Sequence, residues 1–160
     1  MRNFENKEKI VQVSGGLRIV SFVFMLFLGC GIFEWLLMLM LPTRHGETPV
    51  PNWDYIGFIL VFMMEFMVWW NFWSFFSRLK AGHLFDALTV KRLTNAGRWK
   101  IAAWFYSIIF MWVENTLQRQ LQTHVLSDLL DGLFVGVGIV FVAWLLREAQ
   151  TMEEEQKLTV

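Results

Sequence analysis

Polar and apolar positions along this chain do not alternate. They come in blocks. Ile19 to Leu41, "IVSFVFMLFLGCGIFEWLLMLML", is a run of 23 residues with one ionisable group, Glu34. Tyr55 to Ser77, "YIGFILVFMMEFMVWWNFWSFFS", is a second run of 23 with one, Glu65. Both exceed the ~20 residues that cross about 30 Å of hydrocarbon. A third run, Ile101 to Val113, has 13 residues and reaches spanning length if Glu114 to Leu117 also lie at membrane depth. The fourth, Val125 to Leu146, carries Asp128 and Asp131 in its first two turns. Lipid offers unpaired backbone groups no partner, so helices are the expected form. The pattern predicts four transmembrane helices over about 19–41, 55–77, 99–117 and 125–146.

Between the second and third spans lies "RLKAGHLFDALTVKRLTNAG", Arg78 to Gly97. Asp86 is placed to cap a helix starting at Ala87, and Gly97 to end it. Thr89 stands where a full capping box would want Glu or Gln. Phe85, Leu88, Leu93 and Ala96 share one broad arc, but Arg92 falls inside it, so amphipathicity is weak. The expected element is a short helix over about 86–96 at the cytoplasmic interface. Its basic residues face anionic head groups, or form a docking surface in which Lys80, Phe85, Lys91 and Arg92 are the candidates.

Composition agrees: 56% of the residues are hydrophobic, and net charge is zero, which gives no electrostatic case for direct binding of nucleic acid. The basic residues are nevertheless distributed unevenly. Arg2, Lys7, Lys9 and Arg18 precede the first span, Arg78, Lys80, Lys91, Arg92, Arg98 and Lys100 follow the second, and Arg147 and Lys157 follow the fourth. The other two loops hold only Arg44 and Arg119. Twelve against two puts both termini and the Arg78–Lys100 loop in the cytoplasm. Trp53 and Tyr55 mark the outer boundary; Trp73, Trp99 and Trp144 mark the inner one. The first run is too long for a signal-peptide core, so it is expected to stay as a span. Val13 to Gly16, "VSGG", is expected to be a flexible joint before it.

The residues of the Arg78–Gly97 stretch resemble those of a bacterial membrane family, domain-of-unknown-function family 2975. Its members show a lysine and glycine, a phenylalanine, a polar helix start, then Arg-Leu and a glycine ahead of the third span. Lys80, Gly82, Phe85, Asp86, Arg92, Leu93 and Gly97 stand in those places, Asp86 where serine or threonine is commoner. The ending "LLREAQTMEEEQKLTV", closing in Leu158, Thr159 and Val160, is similar too. The resemblance implies a four-helix bundle in a bacterial inner membrane. Because members are often encoded beside a small helix-turn-helix regulator, it also implies a membrane component of a regulatory pair. It implies no activity.

The chemistry-bearing residues inside the spans are acids. Glu34 lies seven residues before the outer end of its span, about 10 Å deep, and Glu114 at a similar depth. Glu65 is ten residues into its span, about 15 Å deep. Asp128 and Asp131 enter from the outer side, and, with Lys100 at the inner edge of the third span counted among the loop cations, no lysine or arginine is expected within the spans to neutralise the acids. Three readings stay open. Glu34 and Glu65 are protonated or bonded to Asn71, Ser107, Asn115 or Thr116, and help the helices associate. Or Glu34, Glu65, Asn71, Glu114, Asp128 and Asp131 form a proton or cation site. Or the acids bind a cationic or lipid signal and bias a bundle whose output is the cytoplasmic loop.

Catalysis finds no support. His45, His83 and His124 lie in or beside loops without ligand-spaced partners, and Cys30 is alone in an apolar run, so no metal, cofactor or nucleophile is expected. Gly132 and Gly136 form a GxxxG that permits close helix approach, within the chain or in a homo-oligomer.

Overall fold

The computed structural model describes residues 2–40, 52–83, 86–118 and 125–158. They form four helices: α1, Arg2–Met40; α2, Asn52–Lys80; α3, Ala87–Gln118; and α4, Val125–Leu158. No strand occurs among the described residues. At 1.5 Å per residue the helices run from about 43 to about 58 Å, longer than the hydrocarbon of a bilayer is thick. Three contain segments both long and apolar enough to cross it: Val11–Met40, Ile56–Lys80 and Gly132–Met152. Their outer surfaces are greasy. Phe22, Phe27 and Phe33 on α1 and Phe134, Phe141 and Trp144 on α4 are all exposed. Water would penalise such faces, whereas hydrocarbon is as apolar as they are.

The helices pack in chain order, α1 on α2, α2 on α3, α3 on α4, and no other pair of backbones approaches among the described residues. The expected bundle is therefore an open row rather than a closed ring. Its α1–α2 seam is aromatic. Phe24 stacks on Trp69 with ring centroids 4.3 Å apart, and Trp35 on Phe58 at 4.8 Å. The next seam sets Phe58 edge-on to Phe110 at 5.6 Å, with Gly57 leaving room for the Phe110 ring. Beside the α2–α3 turn, buried Phe75, Leu93 and Ala143 form a small core shared by α2, α3 and α4.

Two glycine expectations are corrected. Gly15 and Gly16 do not make a joint: they lie inside α1, where buried Ser14 donates to the Val11 carbonyl at 2.8 Å. Gly97 does not stop a helix. The expected 86–96 element is the start of α3, which runs unbroken through Gly97 to Gln118. Gly97 is instead where α4 crosses. A Cβ there would sit 2.6 Å from Val140 Cγ2 and 3.1 Å from the Gly136 carbonyl oxygen. One on Gly136 would sit 2.8 Å from Ile101 Cγ1 and 3.2 Å from the Ile101 backbone nitrogen. The GxxxG thus serves an intrachain seam.

Gly138, two residues on, faces open space. Gly136→Leu should lower the thermal stability of the detergent-solubilised protein by about 1–3 kcal/mol through overpacking, while Gly138→Leu leaves it nearly unchanged. Equal effects at the two positions would contradict the α3–α4 seam.

Candidate functional site

The α2–α3 turn is built from local hydrogen bonds. Gly82 takes φ +85°, a conformation that L side chains rarely adopt. This lets the Gly82 amide donate to the Leu79 carbonyl at 3.0 Å and the His83 amide to the Arg78 carbonyl at 3.1 Å, a Schellman closure of α2. Three residues after His83, Asp86 opens α3 as expected. Its carboxylate accepts from the Leu88 amide at 3.3 Å, and its carbonyl from the Thr89 and Val90 amides at 2.8 and 3.2 Å. The fully buried Thr89 hydroxyl donates to the His83 carbonyl at 2.9 Å, tying the new helix to the old turn. Arg78 Nη2 closes the loop by bonding the second Asp86 oxygen at 2.5 Å.

The docking candidates Lys80, Lys91 and Arg92 are exposed around this turn, while Phe85 lies outside the described residues. Asp86 is held below its ordinary 3.8 by the Arg78 hydrogen bond first and the Leu88 amide second. A depressed carboxylate pKa stabilises the fold fully above the unfolded value and loses that contribution as pH falls through the folded one. Protection of the Leu88 and Thr89 amides from hydrogen exchange should therefore hold at neutral pH and fall only below about pH 4. Asp86→Asn should remove that acid limb.

The second polar feature was not legible as a pair. Lys100, counted among the loop cations, reaches Glu65 on α2: Nζ to Oε1 is 2.5 Å, with both side chains about one quarter exposed (25% and 23%). So a basic residue does meet a carboxylate that lies within the spanning-length segment Ile56–Lys80, and the expectation of unneutralised acids is corrected for Glu65. The signal was available in principle. In an antiparallel hairpin, Glu65 lies 15 residues before the end of α2 and Lys100 lies 13 after the start of α3.

The remaining acids do not assemble around the pair. Phe24–Trp69 and Trp35–Phe58 fix the α1–α2 register, which puts Glu34 level with about residue 59, roughly 9 Å along the axis from Glu65. Glu34 is exposed. Glu114, Asp128 and Asp131 lie on α3 and α4, but their side chains, like that of Asn115, fall outside those described. The expected polar partners bond their own helices instead: Asn71 Nδ2 donates to Met67 O at 2.7 Å, Ser107 to Ala103 O and Thr116 to Trp112 O. Asn71 is 4% exposed and its Oδ1 is buried without a partner. No group of three or more metal-ligating side chains occurs among the described residues.

A lysine–carboxylate pair between two helices, three spanning-length apolar helices and a capped polar turn define the class: a multi-helix membrane protein. Within it, the chain belongs to DUF2975, a family described as proteins of unknown function, whose model matches residues 13–160. No curated protein and no solved structure matches it.

Removing one partner of a semi-buried pair strands the other charge. Glu65→Gln and Lys100→Met should each destabilise the protein by about 1–3 kcal/mol, discounted for partial exposure. The double variant should recover much of the loss, read as a double-mutant cycle on thermal melting in detergent. Strict additivity would contradict the pairing.

Proposed function

We propose that this protein is a four-span component of a bacterial inner membrane, with both termini cytoplasmic, that docks and regulates a cytoplasmic protein at the α2–α3 turn. A helix-turn-helix regulator heads the candidates for that partner. The observation that carries this reading is the turn itself. It is pre-ordered by a Schellman closure, an aspartate cap, the Thr89 bond and the Arg78–Asp86 pair, yet it leaves Lys80, Lys91 and Arg92 exposed. A surface with little ordering left to do loses less freedom on binding. The Phe75–Leu93–Ala143 core beneath joins the turn to α4 as well as to α2, so strain on any of these helices reaches it.

The fourth crossing is assigned to α3. Its charges kept it below the apolarity of the other three, but Lys100 is neutralised by Glu65, and α2 and α4 cover it from both sides. With Lys100 moved out of the loop, the basic count is still eleven (twelve less Lys100) against two, which supports the same orientation.

The alternative, a proton or cation pathway along Glu34, Glu65 and Glu114, draws less support. Its central carboxylate is held by a lysine, and Glu34 stands off by more than a helical turn along the axis. A purely structural membrane subunit is the remaining alternative.

A crosslinked pull-down from host membranes separates these readings. The wild-type chain should recover a soluble cytoplasmic protein that the Lys91→Glu, Arg92→Glu variant loses. Equal recovery by both would remove the turn from the interaction. Carboxylate-dependent ion flux in liposomes, abolished by Glu65→Gln, would favour the pathway instead.

A further inference from the structure

Arg18 is set apart from the other deep cations. The two ion pairs among the described residues match Arg78 with Asp86 and Lys100 with Glu65, and no described carboxylate faces Arg18. Its one described contact is aromatic: the guanidinium carbon lies 5.8 Å from the centroid of the Trp73 ring, across the α1–α2 seam. Stacking over a ring uses the face of a guanidinium and leaves its N–H edges to donate. A cation held this way, half-buried and with no counter-charge among the described residues, keeps those N–H edges available to an anion from outside the chain.

Its position says what kind of anion. The α1–α2 register places Arg18 level with about residue 75 of α2, beside Trp73 and within roughly one turn of Arg78 along the axis. Trp73 lies where the apolar part of α2 gives way to Arg78 and Lys80, the depth at which indole rings meet head groups. On the other side of Arg18, Phe22 and Leu26 follow on the same helix face and are 49% and 54% exposed. Phosphate oxygens have donors here, and acyl chains have apolar surface directly alongside. A free phosphate would use only the first half of that arrangement.

We propose that Arg18 and Trp73 form a binding site for the phosphate of an anionic phospholipid, in the leaflet adjoining the α2–α3 turn. Arg18 is the bidentate donor and Trp73 its platform. The site is independent of the proposed docking turn, since none of Lys80, Lys91 or Arg92 belongs to it.

The test is native mass spectrometry of the full chain released from detergent, loaded with phosphatidylglycerol or with phosphatidylcholine of the same acyl chains. Wild type should retain phosphatidylglycerol preferentially. Arg18→Gln should cut that preference about fivefold, the share of one basic residue at an anionic surface. Trp73→Leu should weaken it too, and Arg147→Gln should leave it intact. Equal retention of the two lipids by wild type would overturn the proposal without any variant. So would an Arg18→Gln protein that binds like wild type. Displacement of phosphatidylglycerol by inorganic phosphate would reassign the site to a free anion.

Discussion

A charge taken into hydrocarbon must bring its own partner, and the Lys100–Glu65 pair is how this chain meets that constraint. Either residue alone would cost several kcal/mol at membrane depth. Together they present a neutral polar contact between α2 and α3, at a register set by the aromatic seams on either side. The row order of the helices follows the same logic. The least apolar helix, α3, lies between α2 and α4, while α1 and α4, whose spanning segments expose many large apolar side chains, are left outermost.

Hydrocarbon gives helices no hydrophobic reason to associate, so contact must come from shape and polarity. Each seam supplies a different kind. Between α1 and α2 it is stacked rings, with Gly31 letting Phe62 approach. Between α2 and α3 it is the ion pair and the Phe110 ring over Gly57. Between α3 and α4 it is backbone on backbone at Gly97 and Gly136, with Trp104 against Gly132. The turn joining α2 to α3 needs none of these, because its own side chains close it. It is therefore ordered independently of lipid, which suits a surface facing the aqueous side.

Much of this was legible in one dimension. The apolar runs marked α1, α2 and α4, and Asp86 marked the start of α3 through a short-range cap that sequence encodes directly. What misled were residues whose meaning depends on a neighbour far along the chain. Gly97 reads locally as a stop, yet α4 converts it into a crossing point. Gly15 and Gly16 read as a hinge, yet α1 runs straight through them. Lys100 reads as the last cation of a loop until the hairpin register sets it against Glu65. Gly82, which does end a helix, carries a signal that is local: a glycine two residues past Lys80 is an ordinary C-terminal stop.

These elements compose a simple arrangement: greasy outer helices, a central charged helix held by an ion pair, and a hydrogen-bonded basic turn at one end. The assignment of α3 as a crossing underlies the proposed function, because it fixes which polar segments share a side. The most direct check is thiol accessibility in intact cells. Single cysteines would be placed at His83 or Gln120 in a Cys30→Ser background and exposed to a membrane-impermeant maleimide. Labelling is expected at the Gln120 position from outside and at the His83 position only after lysis. Identical behaviour of the two sites would mean that α3 does not cross, and would overturn the proposed topology.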